Sequence, residues 1–391
     1  MNVVPKRCLE LLSALDLLPD SAAYDELKQR SAGAFSLLEI VFRLEIAKSA
    51  SAKSTMEVVS KGEGPLLGWH DPDEQRKWIR DNKPRRMADK RMELIQAVSK
   101  FVRDGDLLAM GGFGHVRVSM ASIYEMIRQK KRNITLSGKT ATHDCDLLLS
   151  SGVVSRIEVA YSFGHELRGL SPASRRMVEQ GRVQVLGEVS NAGIQWRFKA
   201  AAMGLPFLPA RVMLGSETFT KSSSLVAKDP FSGKKVLLVP ACYPDVSFVH
   251  VHRCDRFGNS QIDGVSIMDW DLARAARRLV ITTEKIVDDD VIRNEPSKTM
   301  IPFYCVDAVV EIPYGSHPAN MPFLYYSDED HIGEWLRVSR TDTGTEQYFQ
   351  KYVYGVKDFR GYIELVGGRR RMERLKEIEF LKAKTTAPWA E

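Results

Sequence analysis

Three glycines, Gly111, Gly112 and Gly114, fall within four residues of this chain. They follow the apolar run DLLAM and precede a stretch with helical spacing, VSMASIYEMIRQ. In a strand-to-helix turn of this kind, backbone N–H groups and the positive end of the helix can bind a phosphate, a carboxylate or an oxyanion. The spacing is not GxGxxG and no Lys-Ser or Lys-Thr pair follows, which argues against a nucleotide site. A tight turn without a ligand explains the glycines equally well.

Polar side chains follow other apolar runs. Glu188 ends the run VQVLGE, where it is either a general base or a solvated charge near a helix start. Asn191 either donates its amide to a substrate or caps the next helix. Arg117 either grips a substrate carboxylate or is a surface charge. His165 and Glu166, after YSFG, either line a pocket or form a structural cluster.

For His250, His252 and Arg197, a structural role is the favoured interpretation. His250, His252 and Cys254 alternate along one strand face, as zinc ligands can. A fourth ligand at convincing spacing is lacking, so no metal site is predicted. Arg197 lies between Trp196 and Phe198 in a helical run, which favours a structural or interface ion pair.

The elements that carry these residues alternate between strands and helices from about residue 91. This alternation predicts an α/β domain over residues 91–391, with a largely parallel open sheet and helices on both faces. The strand candidates are LLAMG, NITLSG, IEVAYS, VQVLGE, KVLLVPA, FVHVHR, RLVITTE and AVVEIP. The helix candidates are ELIQAVSKFV, SMASIYEMIRQ, DCDLLLSSG, SPASRRMVEQG, IQWRFKAAAMG and DWDLARAARR, with a charged helix in the C-terminal tail.

The first 90 residues differ in character. Residues 1–61 carry helical spacing, and residues 62–90 mix Gly, Pro and charge, so we expect a helical N-terminal extension and a linker over residues 1–90. The extension either covers the core or a partner chain, or it is an interaction module without a catalytic part.

Composition narrows the class of protein. The 391 residues are 44% hydrophobic and 27% charged, with a net charge of +6 that is spread along the chain. This balance suits an anionic small substrate and does not favour a nucleic-acid partner. Five cysteines without a CxxC pair, no signal-like start and no apolar run of spanning length predict a cytoplasmic protein without a membrane partner.

Taken together, the motifs resemble family I coenzyme A transferases, in particular alpha chains related to glutaconate CoA-transferase. The glycine turn resembles their GIGGF-type loop, and residues 188–211, EVSNAGIQWRFKAAAMGLPFLPAR, resemble the E-x-S-N…R…P-F-x-P-x-R signature. YSFGHELRGL and HVHRCDRFGNSQIDG resemble two further segments. The resemblance covers roughly residues 91–370. It departs at the first 90 residues and at Ser119, where proline is common.

The resemblance implies half of an enzyme. A beta-type partner chain would supply a glutamate that attacks the acyl-CoA carbonyl and forms a glutamyl-CoA thioester, and a second carboxylate would then take the CoA. An alpha2-beta2 assembly is expected, with CoA thioester as substrate and no resident cofactor. Oxyanion or CoA contacts are implied for Gly111, Gly112, Phe113 and Gly114, and substrate contacts for Arg117, Ser119, His165 and Asn191.

Two other functions stay open. Relatives of this scaffold include CoA-ester hydrolases, ring-opening carbon–carbon hydrolases and decarboxylases, and Glu188 is the candidate catalytic residue for that branch. A related α/β scaffold also serves as a sugar-phosphate sensor without turnover, although the extension lacks a convincing helix-turn-helix pattern.

Overall fold

The computed structural model describes residues 56–83 and 86–385. Helical structure was predicted over residues 1–61. Residues 1–55 lie outside the described ranges, and for residues 58–61 the prediction is wrong, because they form a strand. In the described residues there are thirteen strands: β1 Val58–Lys61, β2 Leu107–Met110, β3 Ile134–Lys139, β4 Val154–Ala160, β5 Gln184–Glu188, β6 Phe207–Ala210, β7 Leu225–Lys228, β8 Lys235–Pro240, β9 Val246–Cys254, β10 Ser260–Gln261, β11 Arg278–Ile286, β12 Thr299–Ile301 and β13 Ala308–Glu311.

The α-helices of the same residues connect these strands or close the C-terminal part. They are α1 Pro72–Asn82, α2 Leu94–Phe101, α3 Met120–Arg128, α4 His143–Ser150, α5 Pro172–Glu179, α6 Asn191–Met203, α7 Glu217–Thr220, α8 Asp269–Ala275, α9 Asp289–Asn294, α10 Glu329–Val338, α11 Asp342–Phe349, α12 Phe359–Leu365 and α13 Gly368–Glu379. None of the helices in the described ranges combines the length and the apolarity needed to cross a membrane.

A nine-stranded sheet forms the centre of the domain. Seven strands run parallel in the order β13-β11-β9-β2-β3-β4-β5. β10 pairs antiparallel with the last two residues of β9, and β12 pairs antiparallel with β10. Helices pack on both faces, because successive side chains of a strand point to opposite sides. Along β2, Leu108 and Met110 enter one hydrophobic core, while Leu107 and Ala109 enter the other. The predicted α/β class with a largely parallel sheet is confirmed.

A second, four-stranded sheet was not predicted. Its order is β1-β7-β8-β6, and all three pairings are antiparallel. The run KVLLVPA therefore forms a strand, β8, as predicted, but in this smaller sheet.

Part of the predicted linker is ordered secondary structure. Asp71 caps α1 by accepting hydrogen bonds from the amides of Asp73 and Glu74 at 2.9 and 3.3 Å, and Pro72 occupies the first turn. At the end of this helix, the Lys83 ammonium pairs with Asp307 at 2.7 Å. The compact unit that contains the sheets begins at Val58. A domain boundary near residue 90 stays a prediction.

Candidate active site

The glycine turn lies at the point where the strand order changes direction. From β2 the chain adds β3, β4 and β5 on one side, and later places β9, β11 and β13 on the other. Ligands of open α/β sheets bind at the carboxyl ends of strands at such a switch point. Gly111 directly follows β2, and its amide donates to the Phe248 carbonyl on β9 at 2.8 Å. The glycine turn therefore lies at the position where proteins of this fold class bind their ligands.

The four amides of the turn already donate hydrogen bonds within the chain. Besides the Gly111 bond, the Phe113 amide donates to Val116 O at 2.9 Å and the Gly114 amide to Thr140 O at 3.1 Å. The Gly112 amide donates to the Asp269 carboxylate at 2.8 Å. These bonds fix the shape of the turn. The oxyanion role of its amides stays a prediction that requires at least one of them to change partner.

Gly112 is required by backbone geometry, and Gly112→Ala tests this. Its φ is +83°, and a Cβ would lie 2.5 Å from Val116 O. We expect the substitution to lower the free energy of unfolding by about 2–4 kcal/mol, since strain and overlap add. Gly152→Ala is the matched control: its φ is +77° and no atom lies within 4 Å of a Cβ. Equal losses in chemical denaturation of both variants would show that contacts at the turn contribute nothing.

Arg117 is buried rather than a surface charge. Its side chain is 1% exposed, and Nη2 lies 2.7 Å from Asp269 Oδ2 and 2.7 Å from Val265 O. Asp269 therefore joins Arg117 to the Gly112 amide. The Nε and Nη1 atoms of Arg117 are buried and make no hydrogen bond with a described residue. A guanidinium in this state can hold an anion, but it mainly holds the turn in place.

A small cavity lies between the glycine turn and the end of β3. Its walls include the turn, Ser137, Lys139, Thr140 and Asp144. The Lys139 ammonium lies 4.4 Å from the centroid of the Phe113 ring. Burial lowers the pKa of Lys139 and raises that of Asp144 to about 6. The cavity thus combines the cation of a largely buried lysine with a carboxyl that ionises at a higher pH than an ordinary aspartate.

His165 belongs to a buried hydrogen-bonded chain beside this cavity. Its Nε2 lies 2.7 Å from Asp146 Oδ2, and its Nδ1 lies 3.1 Å from His115 Nε2. The carboxylate requires a donor, so His165 Nε2–H donates to it and Nδ1 accepts from His115 Nε2–H. His115 Nδ1 then accepts from Arg168 Nη1 at 3.3 Å. Burial lowers the pKa of His115 to about 4, in keeping with a neutral ring.

Glu166 reaches the glycine turn from the same segment. A Cβ on Gly114 would lie 2.9 Å from Glu166 Oε1, and the Glu166 backbone has φ +57°. Glu166 Oε2 lies 3.9 Å from His115 Nδ1 and 3.9 Å from Arg168 Nη1. With the His115 ring neutral, the Arg168 guanidinium is the charge that favours the ionised form of Glu166. Arg168 also forms two hydrogen bonds to Glu329. The Glu166 side chain is 42% exposed, so it is an ionised carboxylate open to solvent.

Ser119 lies in a different buried network. Its hydroxyl is 2.6 Å from the Ser122 hydroxyl and 2.8 Å from that of Thr282. Thr282 in turn contacts His250 Nδ1 at 2.9 Å, and His250 Nε2 lies 2.8 Å from Glu284. Ser119 is fully buried. In this conformation it supports the start of α3, and its substrate contact stays a prediction.

Glu188 and Asn191 lie at the carboxyl end of β5, along the same edge of the sheet as the turn. Glu188 is 38% exposed and pairs with Lys221 at 3.3 Å. Asn191 Oδ1 accepts from the Thr140 hydroxyl at 3.0 Å, which ties it to the cavity. Ser190, and not Asn191, caps α6 by accepting from the Gly193 amide at 3.0 Å. The capping alternative for Asn191 is therefore wrong.

The histidine pair on β9 is occupied by hydrogen bonds. His252 Nδ1 accepts from the Asp263 amide at 3.0 Å, and its Nε2 donates to Pro322 O at 2.8 Å. Burial raises the pKa of the Cys254 thiol far above its usual range. No group of three or more His, Cys, Asp or Glu side chains in the described residues is arranged to hold a metal ion.

Sequence reasoning did not single out Lys139, Asp269, Asp146 or His115. Lys139 directly follows the strand NITLSG, and His115 directly follows the glycine turn. A polar residue next to a strand end is a local feature that could have indicated both as candidate site residues. Asp146 lies within a predicted helix, and Asp269 lies at the start of one. Their roles depend on contacts 19 and 152 residues away in sequence, which no local pattern shows.

Comparison with known proteins identifies the family. The profile of the family described as Coenzyme A transferase matches residues 91–312. The A-type subunit of glutaconate CoA-transferase from Acidaminococcus fermentans is 33% identical over 71% of this chain and 92% of its own length. The crystal structure of glutaconate coenzyme A-transferase from that organism superposes with a TM-score of 0.69 and 32% identity, over 73% of this chain and 95% of that chain.

Other relatives extend the range of chemistry. An uncharacterized protein of Archaeoglobus fulgidus is 59% identical over 85% of this chain and 75% of its own length. The cholesterol ring-cleaving hydrolase IpdA subunit of Mycobacterium tuberculosis strain H37Rv is 28% identical over 73% of this chain and the whole of its own. The structure of a variant of the decarboxylase AibA/AibB superposes with a TM-score of 0.58 and 29% identity, over 66% of this chain and 97% of that chain. With the family profile spanning most of the parallel sheet and the glycine turn at its switch point, this chain belongs to the coenzyme A transferase family of enzymes.

Proposed function

We propose that this chain is the alpha subunit of a two-subunit CoA-transferase that moves CoA between carboxylic acids. A beta-type partner would complete the active site, and the pair would assemble as alpha2-beta2. The alpha-type relatives named above support this proposal, since one of them is the A-type subunit of glutaconate CoA-transferase. The coenzyme A thioester is the substrate, and no resident cofactor is required by this reaction.

The observation that carries the proposal is the charge of the cavity at the glycine turn. Lys139, a largely buried residue, contributes a cation, and Arg117 lies next to the turn. Among the described residues that line the cavity, Asp144 is the one carboxyl, and it accepts a hydrogen bond from the Thr142 amide at 2.7 Å. A site that offers positive charge without a free nucleophile fits a reaction in which the attacking carboxylate comes from a partner chain.

The proposed reaction has two halves. A glutamate oxygen of the partner adds to the thioester carbonyl carbon, and CoA leaves as a thiolate, which gives a mixed anhydride. The thiolate then attacks the glutamyl carbonyl, which releases the first acid as its carboxylate and leaves a glutamyl-CoA thioester. A second carboxylate repeats these steps in reverse order and departs as the new acyl-CoA. The negative charge on the carbonyl oxygen must be stabilised in both halves.

The predicted site residues divide into two groups by their exposure. Asn191 is half-buried at the strand ends and is proposed to contact the substrate. Arg117, Ser119 and His165 are buried. We retain their proposed substrate contacts beside their part in holding the turn and its neighbours. We retain the proposed division into an extension over residues 1–90 and a catalytic domain over residues 91–391. We place the complex in the cytoplasm, a proposal that the unpaired cysteines of the described residues support.

The proposal is tested by co-expressing this chain with the neighbouring reading frame and assaying the purified complex. We expect CoA to pass from an acyl-CoA to acetate, detected by mass spectrometry, and borohydride to trap a glutamyl thioester on the partner. Glu188→Gln should leave the transfer rate within about twofold, because an exposed residue paired with Lys221 contributes little binding energy. Glu217→Gln, at the other carboxylate of Lys221, is the matched control.

A hydrolase or carbon–carbon lyase is the second candidate. The observation that favours it is the exposed carboxylate of Glu188 at the carboxyl end of β5, together with the hydrolase and decarboxylase relatives. Glu188 would act there as the general base. Consumption of acyl-CoA without an acceptor acid, abolished by Glu188→Gln and unaffected by Glu217→Gln, would establish this function and exclude the transferase.

A further inference from the structure

Lys139 is a largely buried residue whose ammonium group has no hydrogen-bond or ion-pair partner among the described residues. The residue is 6% exposed at the carboxyl end of β3. Its ammonium lies over the Phe113 ring, 4.4 Å from the centroid, and within the described part of the chain it forms no hydrogen bond or ion pair. A charged group on a largely buried residue is stabilised by pairing with an opposite charge, and an aromatic face supplies only part of that stabilisation. The ammonium of Lys139 can therefore receive an anion.

The carboxylates around Lys139 do not supply that anion. Asp269 attracts the ammonium, but its two oxygens already bind the Arg117 guanidinium and the Gly112 amide. Asp144 lines the same cavity, where it binds the Thr142 amide. Lys139 and Arg117 together carry one more charge than Asp269 neutralises. Two buried nitrogen atoms of Arg117, Nε and Nη1, also have no hydrogen-bond partner among the described residues.

The Lys139 ammonium lies next to the glycine turn, where the reaction is proposed to take place. Phe113, under the ammonium, is the third residue of the glycine turn. The amides of the turn are engaged in hydrogen bonds within the chain, so they are poorly placed to receive a new negative charge. Lys139 is the cation that lines the cavity at the same strand ends.

We propose that the Lys139 ammonium binds a carboxyl oxygen of the reacting acid and stabilises that oxygen when it becomes the oxyanion. This inference rests on the proposed function and assigns a catalytic residue to it. The ammonium keeps its protons and forms no covalent bond; it donates a charge-assisted hydrogen bond that strengthens as charge develops on the oxygen. The substrate class is then any carboxylate, with or without a second acid group.

The test uses three variants, each in the complex with its beta-type partner. Lys139→Met keeps the length of the side chain and removes the charge, and Lys139→Arg keeps the charge. Lys100→Met is the matched control, because Lys100 is exposed and also lies over a phenylalanine ring, that of Phe101, at 5.1 Å. CoA transfer is measured with propionate and with glutarate as acceptors. NMR titration with each acid measures binding without turnover, and thermal melting checks the fold.

We expect Lys139→Met to lower kcat/KM by about 100- to 1,000-fold with both acids, as for the loss of one oxyanion donor. Binding of both acids should weaken, Lys139→Arg should recover part of the rate, and Lys100→Met should match the wild type. Unchanged rates in Lys139→Met would overturn the inference. A loss confined to glutarate would also overturn it, since Lys139 would then bind the remote carboxylate.

The two proposals fail in different ways. A wild-type complex that transfers no CoA from any acyl-CoA contradicts the proposed function. The NMR titrations still decide the inference in that case, because a propionate site that depends on Lys139 is expected with or without turnover. A folded Lys139→Met variant that binds propionate as tightly as the wild type would refute the role of Lys139.

Discussion

Replacing Arg197 by methionine is expected to lower the free energy of unfolding by about 3–5 kcal/mol, as for other broken buried ion pairs. Arg197 is 1% exposed and its Nη1 contacts both carboxylate oxygens of Glu158, which is 2% exposed. The same guanidinium donates to Leu67 O and to Pro240 O. It therefore connects α6 to β4, to the end of β8 and to the segment before α1. Methionine fills a similar volume but satisfies none of these acceptors.

The cost arises because Glu158 would be left buried with the Ser137 hydroxyl, 3.2 Å away, as its remaining side-chain partner among the described residues. Removing both charges should relieve the penalty, so the double variant Glu158→Met/Arg197→Met is expected to be more stable than Arg197→Met alone. Arg175→Met is the control: its pair with Glu179 is exposed and contributes about 0.3–0.5 kcal/mol. Chemical denaturation measures all three, and equal losses for Arg197→Met and Arg175→Met would contradict the argument.

The strands of the large sheet could be predicted because their chemistry is local. A run such as RLVITTE is β-branched and buried, so the sequence alone marks it, and it forms β11. The alternation of runs also predicted a parallel sheet. The glycine turn could be predicted because three glycines between an apolar run and a helical run indicate a tight strand-to-helix turn.

The smaller sheet could not be predicted in the same way. β1, VVSK, is exposed throughout its length and belongs to a sheet because Val58 pairs with Ala227 far along the chain. Such a strand has no buried face that would leave a pattern in the sequence. The ordered helix α1 was hidden for a related reason, since its polar sequence PDEQRKWIRDN resembles a charged linker.

The roles of the candidate site residues stay predictions. The positions of the glycine turn, of Asn191 and of the strand ends were predicted, because each is a local feature of the sequence. The burial of Arg117 was not, because its partner Asp269 lies 152 residues away and only the folded sheet brings the two together. The same holds for Lys139, whose proposed role depends on the lack of a carboxylate partner among the described residues. Charge balance in a buried site is a property of the fold rather than of any segment.

Replacing Asp146 by asparagine is expected to cost about 3 kcal/mol or more of unfolding free energy, since it removes several charge-assisted bonds at once. Oδ1 of Asp146 accepts from the hydroxyls of Ser171 and Ser174. Oδ2 accepts from His165 Nε2 at 2.7 Å and from Trp335 Nε1 at 3.0 Å. An amide that turns its NH2 group toward His165 and Trp335 faces two donors. One that turns it toward the serines forces both hydroxyls to give up their role as donors, in a fully buried position.

The pH dependence separates this mechanism from simple loss of packing. Burial opposes ionisation of Asp146, but His165 and the two serine hydroxyls lower its pKa below the ordinary value. A carboxylate with a lowered native pKa stabilises the fold above its unfolded-state pKa, and that contribution is lost as the pH falls through the native value. The stability gap between wild type and Asp146→Asn should therefore be full at neutral pH and should narrow below the ordinary aspartate pKa.

Asp342→Asn provides the matched control, because Asp342 also binds two side chains, Arg176 and Arg182, but its own side chain is 51% exposed. Its loss should stay near or below about 1 kcal/mol, as for exposed ion pairs. The free energy of unfolding of the wild type, Asp146→Asn and Asp342→Asn is measured with denaturant at neutral and acidic pH. A gap for Asp146→Asn that stays constant across this range would mean that the residue acts through its shape, and that the charge does not orient the His165–His115 chain beside the glycine turn.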